Sequence, residues 1–242
     1  MKTQMDHLVV VAKTLEAGVA WCEATLGITP GPGGEHALYG THNRLSKIAT
    51  PANPLAYLEI IAINPLAAPR SASAVKRWFD MDDAALQSAV AMEPRLVHFV
   101  ASTDDIASAV GALQALAIDR GPIVAASRQA PKGLLQWQIT VRPDGQRLFD
   151  GVLPSLIQWG NAGSAEPLRL HPRNSLPRSG VSLKGLSLTH PEAGQLEAAF
   201  SAIGLGGITI AMGTAHLVAT LQTPKGLVTL HSSASQKISP AR

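Results

Sequence analysis

The sequence predicts an α+β fold built from repeated βαβββ modules, two of which pair into an incomplete barrel. The main observation is a recurring order of segments: a strand-like run, an amphipathic helix and three further strands begin near residues 5, 95 and 183. A second observation is the composition of the 242 residues, with 46% hydrophobic and 15% charged, which is that of a globular protein with a sizeable core. The third repeat is shorter than the other two.

Module one is predicted to span residues 5–63. Its first strand covers residues 5–12, and a helix follows whose apolar stripe includes Leu15, Cys22 and Leu26. Thr14 is the expected N-cap and Gly27 the expected C-cap. Three strand candidates complete the module: HALYG, NRLSKIAT and AYLEIIAI.

Module two is predicted to span residues 95–159. The strand RLVHFVAS precedes the helix TDDIASAVGALQALAI, for which Thr103 is the expected N-cap with Asp104 and Asp105 in the first turn. The strand candidates IVAASR, LLQWQITV and SLIQWG follow. The order of elements is therefore the same as in module one.

The third module is predicted over residues 181–233, with Pro191 near the start of its helix PEAGQLEAAFSAIG. Residues 64–94 form a linker with one short helix, and residues 160–180 form a second linker rich in Gly, Pro and Asn. Residues 1–165 are thus expected to form one domain, followed by the third module and a tail at 234–242.

Charge and composition exclude several classes of function. The net charge of +3 comes from scattered Lys and Arg, so the sequence predicts no nucleic-acid partner. Apolar runs stay well short of 18 residues, so no membrane span is expected. The single cysteine, Cys22, excludes an internal disulfide and favours a reducing, cytoplasmic location.

Four polar residues lie among apolar neighbours in strand-like runs: His7, Glu59, His98 and Gln158. Each is predicted to share a face with apolar residues two positions away, because side chains alternate between the faces of a strand. One such histidine is more often a satisfied core residue than a ligand. Four of them, on the first and last strands of two successive modules, predict a shared site for a divalent ion such as Zn, Ni, Co, Mn or Fe(II).

Several segments carry a resemblance to a known family. HLVVVAKTLEAGVAWCEATLGI, YLEII and LVHFVAS resemble the ligand-bearing segments of the vicinal oxygen chelate superfamily. YGTHNRL with YLEIIAINP, then WFDMDD and LPSLIQWG, resemble its glyoxalase-like domain family over about residues 5–175. The resemblance implies a metal held by His7, Glu59 and His98, whereas Gln158 stands where metal-dependent members usually carry Glu.

Four further residues are weighed for contacts with a substrate. His42 and Asn43 in the GTHN stretch could reach the pocket mouth, His42 as a base, or could instead satisfy backbone groups of a turn. Arg44 and Arg128 lie on interior strands, and Arg128 is the better candidate for binding a carboxylate. An arginine on the outer face would simply be solvated.

Two functions from different classes remain open at this stage. The first is a metal-dependent isomerase, lyase or dioxygenase of a small vicinal-oxygen substrate, with Glu59 as the ligand able to dissociate and act as a base. The second is a non-catalytic, metal-free protein that binds a small molecule. The third module lacks the ligand positions, and its apolar face predicts either a homodimer or packing on the chain's own barrel.

Overall fold

The computed structural model describes residues 1–67, 75–130, 133–160 and 166–233. The predicted tail at 234–242 lies outside these residues, as do short parts of both predicted linkers. The elements of the first two modules are β1 (Thr3–Val11), α1 (Leu15–Leu26), β2 (Glu35–His36), β3 (Thr41–Lys47), β4 (Tyr57–Ile63), α2 (Ala84–Met92), β5 (Arg95–Thr103), α3 (Ile106–Gln114), β6 (Ile123–Ala130), β7 (Gly133–Thr140) and β8 (Ser155–Trp159). Those of the third module are β9 (Ser182–His190), α4 (Ala193–Ala202), β10 (Thr209–Met212), β11 (His216–Thr223) and β12 (Gly226–His231).

The first eight strands form one sheet in the order β2-β3-β4-β1-β5-β8-β7-β6. Each module contributes four strands, and the modules meet where β1 pairs with β5 in antiparallel orientation. Within each module the first and last strands are parallel, β1 with β4 and β5 with β8. The sheet curls into a nearly closed barrel, which confirms the predicted α+β fold with two paired modules.

Local departures from the predicted elements have simple causes. Asp105, not Thr103, is the N-cap of α3, because its carboxylate accepts from the backbone N–H of Ser108 at 2.9 Å. The HALYG segment is a strand only at its start. Beyond His36 the chain turns back, since the Tyr39 and Gly40 amides donate to the His36 carbonyl. The fourth helix begins at Ala193, two residues after Pro191.

Two apolar cores lie on opposite faces of the eight-stranded sheet. On the convex face, Leu8, Leu58 and Phe99 pack against α1, α3 and the third module. On the concave face, Val9 and Val100 belong to a second core that is rich in aromatic residues. Alternation along β1 and β5, interrupted by register shifts between the two strands, separates the two sets.

The third module packs on the barrel of its own chain. Its four strands form a separate sheet in the order β10-β9-β11-β12. Strands β11 and β12 contact β5, α4 contacts α3, and Leu188, Phe200 and Leu217 are buried in the core of the convex face. The apolar face on which a homodimer was predicted is thus covered within the chain. Among the described residues, no helix is long and apolar enough to cross a membrane.

Candidate functional site

A pocket occupies the concave face of the sheet, with a volume of about 440 Å³ counting its opening to solvent. Strands from both modules line it, from β2 and β3 at one edge to β6 and β7 at the other. Its polar residues are His7, His36, Asn43, Glu59 and Arg128. Its apolar wall includes Tyr57, Trp78, Phe79, Trp137, Ile157 and Trp159. Pro172 of the linker after module two closes one side.

A β-bulge in β1 places two consecutive polar residues on the pocket side. Met5 pairs with Ala101 and His7 with Val100, so Asp6 is an extra residue without a partner in β5. A bulge interrupts the alternation of faces, which lets neighbouring residues point to the same side. The contacts of Asp6 show this, since its carboxylate accepts from His7 Nδ1 at 2.7 Å and from Trp159 Nε1 at 2.8 Å.

The buried Asp6 carboxylate fixes the tautomers of two histidines, His171 and His7. His171 of the linker accepts the backbone N–H of Arg173 on Nδ1, so its Nε2 carries the proton and donates to Asp6 at 3.1 Å. Burial alone would raise the pKa of Asp6, but His171 and His7 together hold that pKa well below its ordinary value. Asp6 is therefore ionised. It orients His7 with its Nδ1 proton inward and its Nε2 toward the pocket.

His7 Nε2 faces the carboxylate of Glu59 across 3.6 Å. This distance exceeds that of a hydrogen bond, so each group can still engage a third partner between them. Glu59 is held in place by Asn43, whose amide donates to Oε1 at 2.6 Å, while Asn43 Oδ1 accepts from the Gly34 backbone at 2.8 Å. The Tyr57 ring stacks on His7 at 4.5 Å and restrains its orientation. Of the predicted site residues, His7, Glu59 and Asn43 are thus brought together.

His36 and Arg128 complete the polar side of the pocket. The Nδ1 of His36 lies 3.1 Å from Thr41 Oγ1. Burial, followed by the nearby Arg128, lowers the pKa of His36 to about 3, so this imidazole is neutral. Arg128 reaches from the edge strand β6 to the loop before β2, where a Cβ on Gly34 would lie only 2.1 Å from its Nη1. That Nη1 is buried and, among the described residues, has no hydrogen-bond partner.

His98 shares the face of His7 but is closed off from the pocket. It pairs with Val9 in β5–β1 register, which places it on the concave side, diagonal to His7. Its Nε2 accepts the backbone N–H of Ser155 at 3.0 Å, and its Nδ1 donates to the Gly151 carbonyl at 2.8 Å. Both ring nitrogens are therefore used within the protein. Burial, with Arg120 nearby, lowers the pKa of His98 well below its usual value, so the ring is neutral.

A buried arginine that the sequence analysis did not single out fills the space beside His98. Arg120 is only 1% exposed, and its Nε donates to the Pro154 carbonyl at 2.7 Å. Its Nη2 donates to Ser155 Oγ at 2.6 Å and lies 3.4 Å from His98 Nε2. Burial lowers the pKa of Arg120 to about 10, which still leaves it charged at neutral pH. The charged guanidinium of Arg120 thus lies beside His98.

The residue of module two that matches Glu59 is Ser155. Val9, two residues after His7, pairs with Glu59, and Val100, two residues after His98, pairs with Ser155. Gln158 lies three residues further on and faces the opposite side. Its Oε1 accepts the backbone N–H of Ile106 at the start of α3, at 2.8 Å. Gln158, predicted as a metal ligand, thus lies away from the pocket. Leu156, two residues before it on the same face of β8, belongs to the convex core, whereas Ile157 and Trp159 line the pocket.

His42 is also on the wrong face for the role of base. Asn43 and Leu45 line the pocket, so His42 and Arg44, which alternate with them along β3, point outward. Both lie close enough to Glu16 of α1 to lower the pKa of that exposed carboxyl, after its own hydrogen bonds. The sheet therefore separates His42, which was predicted as a base, from Glu59.

The donor set does not fit the divalent metal that the resemblance implies. The lone pair of His98 Nε2 is taken by a backbone N–H, Ser155 replaces the second carboxylate, and Arg120 places a positive charge beside both. No group of three or more His, Cys, Asp or Glu side chains suited to a metal occurs within the described ranges. What remains is an Asp–His–Glu arrangement with an amide and an arginine in an aromatic pocket.

The residues missed at the level of sequence are Asp6, His36, Trp78, Arg120 and His171. Of these, only Asp6 could have been identified from the sequence, because it is a charged residue beside His7 at the start of a buried strand. His171 comes from a linker without periodicity, yet it is fully buried. Trp137 and Trp159 line the pocket.

Solved structures resemble this chain at the level of fold. A hypothetical protein from Staphylococcus aureus aligns with a TM-score of 0.55 at 18% identity, covering 95% of this chain and 85% of that one. A methylmalonyl-CoA epimerase from Streptomyces coelicolor, in complex with 2-nitronate-propionyl-CoA, aligns with a TM-score of 0.40 at 16% identity and covers 65% of this chain and 98% of its own. The first alignment shows that the shared fold extends through the third module.

The sequence comparisons agree with the fold. No curated protein matches the chain significantly. The glyoxalase-like domain family matches residues 5–204, which extends past residue 175, where the predicted resemblance ended, and includes β9 and α4. That match covers most of the chain and agrees with the paired βαβββ modules. The chain therefore belongs to the glyoxalase-like domain family of the vicinal oxygen chelate superfamily.

Proposed function

We propose that this protein is an enzyme that moves a proton on a small carbonyl compound, an isomerisation that uses His7 and Glu59 and needs no metal. The observation that carries the proposal is the Asp6–His7 pair aimed at Glu59 across 3.6 Å inside the aromatic pocket. A histidine whose Nδ1 proton is held by a buried carboxylate presents Nε2 as a general base, and a second titratable group beside it can return the proton.

The reaction proceeds by proton transfer alone. His7 Nε2 takes a proton from the carbon next to the substrate carbonyl, and the electron pair of the broken C–H bond forms an enolate. In a substrate that carries a hydroxyl on this carbon, the hydroxyl proton passes to the enolate oxygen. His7 or Glu59 then delivers the abstracted proton to the former carbonyl carbon, and the carbonyl re-forms at the other position. Atoms and electrons balance without a co-reactant. Asn43 keeps Glu59 in place, and the aromatic wall excludes water from the enolate.

The experiment is hydrogen exchange in D₂O, followed by ¹H NMR, with hydroxyacetone, 2-oxobutanoate and levulinate as probes. The protein is expected to accelerate exchange of the hydrogens next to the carbonyl of at least one probe. His7→Asn is expected to slow it about 10²- to 10⁴-fold, because a positioned general base contributes that much. Asp6→Asn is expected to slow it as well, since an amide favours the wrong tautomer of His7.

His42→Asn is the matched control, because it changes an imidazole on the outer face of the neighbouring strand. That variant is expected to exchange at the wild-type rate. The proposal fails if none of the probes exchanges faster than in buffer, or if His7→Asn and wild type do not differ.

A second candidate function is metal-free binding of a small molecule without chemistry. The observation in its favour is the closed half of the site, where His98, Ser155 and Arg120 satisfy one another instead of facing the pocket. A protein that binds probes in this pocket but exchanges none of their hydrogens would support binding over catalysis.

A further inference from the structure

The pocket contains two buried hydrogen-bond donors that have no acceptor. Arg128 Nη1 and Trp78 Nε1 are both shielded from solvent, and neither has a partner among the described residues. Both belong to side chains of the pocket wall. A buried donor without a partner, above all a charged one, costs stability, so a protein keeps such donors where a ligand supplies the acceptor.

The two solvent-shielded atoms of this wall that have no partner within the described ranges are both donors. The other buried side-chain atoms without a partner in the described part of the chain belong to Thr3, His42, Ser46 and Arg77, none of which lines the pocket. Asn43 and Glu59 already bond to each other. The group that binds beside Arg128 and Trp78 must therefore offer acceptors, and the guanidinium favours a negative charge on it.

The two donors flank the same residue, His36. The Trp78 ring meets the edge of His36 at 4.8 Å between centroids, and Arg128 lies close enough to lower the pKa of His36 after burial does so. An anion beside His36 therefore has both donors in its surroundings. Because His36 is neutral, Arg128 is the one of these three residues that supplies a positive charge.

The side chain of Arg128 reaches across the open side of the barrel. It extends from β6 to Gly34, whose lack of a Cβ leaves room for Nη1. Among the described residues, no carboxylate lies within ion-pair distance of this guanidinium, although Arg77, Arg142 and Arg147 each have an acidic partner. The positive charge of Arg128 is thus available to a ligand.

The rest of the wall selects a flat, apolar body. The chain has only ten aromatic residues, and five of them line this pocket: Tyr57, Trp78, Phe79, Trp137 and Trp159. Aromatic faces stack on planar rings and conjugated chains. The aromatic wall leaves only a narrow space, so the molecule that it accepts must be small.

We infer that the ligand of this pocket is a small planar monocarboxylate, with its carboxylate on Arg128 and Trp78 and its flat body against the tryptophans. The inference rests on the proposed function in using the same pocket, and it adds the chemical class of the substrate. With the anion beside His36, the flat body of the molecule extends toward His7 and Glu59, where the proton transfer is proposed.

The test is equilibrium binding of benzoate, with benzamide as its neutral isostere and acetate as a carboxylate without a ring, measured by tryptophan fluorescence and by calorimetry. Benzoate is expected to saturate one site, and benzamide and acetate are expected to bind at least about tenfold more weakly, as for loss of a charged hydrogen bond or of ring stacking. The inference is overturned if benzoate does not bind, or if benzamide binds as well as benzoate.

Two variants locate the carboxylate. Arg128→Gln is expected to weaken benzoate binding about 10- to 100-fold, and Trp78→Phe, which keeps the ring but removes the N–H, about 3- to 10-fold. Arg128→Lys, which keeps the charge, is expected to fall between wild type and Arg128→Gln. Arg44→Gln on the outer face is the matched control and is expected to bind as wild type does. Unchanged binding by Arg128→Gln, with its fold checked by circular dichroism, would refute the inference.

The outcomes for ligand class and for chemistry are distinguishable. Benzoate binding that depends on Arg128, without hydrogen exchange on any carbonyl probe, upholds the carboxylate site and refutes the proton-transfer proposal. Exchange on the neutral probe hydroxyacetone that is unaffected by Arg128→Gln, together with no benzoate binding, upholds the chemistry and refutes the carboxylate site.

Discussion

His7 and His98 occupy equivalent positions in the two modules but differ in whether their Nε2 atom is hydrogen-bonded within the protein. Both lie on the first strand of a module, eight residues before the first residue of its helix, and both face the concave side. His7 leaves its Nε2 directed at Glu59 in the pocket, whereas His98 uses its Nε2 to accept a backbone N–H. The position in the fold is therefore not sufficient to make a histidine reactive. What decides is whether its acceptor nitrogen is already bonded.

The partner positions extend the comparison. Where module one has the carboxylate of Glu59, module two has the hydroxyl of Ser155, which bonds to Arg120. A hydroxyl and a guanidinium satisfy each other in a closed network, while a carboxylate beside an imidazole leaves proton-transfer chemistry available. The half-site of module two therefore serves stability, whereas the half-site of module one is free for function.

The largest effect is expected from truncating the two histidines. His98→Ala should lower the free energy of unfolding by about 3–5 kcal/mol, because it leaves a buried N–H and a buried C=O without partners and opens a cavity. His7→Ala should cost only about 1–2 kcal/mol, since Asp6 keeps Trp159 and His171 as donors. Urea unfolding of both variants measures the difference. An equal cost for the two variants would contradict the distinction between the two half-sites.

A smaller effect is expected from acid. The pKa of His36 and that of His98 are lowered in the folded protein, so below the unfolded value near 6.5 the unfolded chain binds more protons than the folded one. Stability should therefore fall by about 2–3 kcal/mol between pH 7 and pH 5, with the share of His36 reduced by its partial contact with water. Asp6, whose pKa is lowered from an already acidic value, is ionised in both states over this range and adds no slope.

Unfolding curves at half-unit pH steps measure this dependence. The variant His36→Asn is the control, and its stability should fall less steeply because one of the two neutral histidines is gone. A stability that stays flat between pH 7 and pH 5 would show that these rings are not held neutral.

The smallest effect concerns Gln158, where the metal interpretation and the structure differ most directly. Gln158→Ala should cost about 1 kcal/mol, because the N–H of Ile106 at the start of α3 loses its acceptor. Gln158→Glu should be neutral or slightly stabilising, since a carboxylate suits a helix N-terminus. Elemental analysis of the Gln158→Glu protein from metal-supplemented medium should show no gain of metal. A stoichiometric ion in that variant would restore the predicted ligand set.

The repeated module order could be predicted because it depends on local patterns. The apolar stripe of α1 and the caps Thr14 and Gly27 are visible in the sequence and are present in the structure. The proximity of His7, Glu59 and Asn43 could be predicted for the same reason. All three lie on strands of one module, in which the alternation of faces can be counted. For Gln158 counting was not enough. Apolar neighbours mark a buried position, but both faces of this sheet are buried, and pattern alone does not say which face holds the pocket.

The sequence by itself determined the modules, their helices and strands, and the family, because hydrophobic periodicity and capping act over a few residues. Only the tertiary structure decided which polar residues meet. Each deciding contact joins segments that are distant in the chain. They are the β1 bulge that turns Asp6 beside His7, the burial of Arg120 next to His98, the contact of Arg128 with Gly34, and the packing of the third module on the convex face. These contacts form because buried charges and donors need partners. That need is met only in the assembled interior, so it produces no periodic pattern in the sequence.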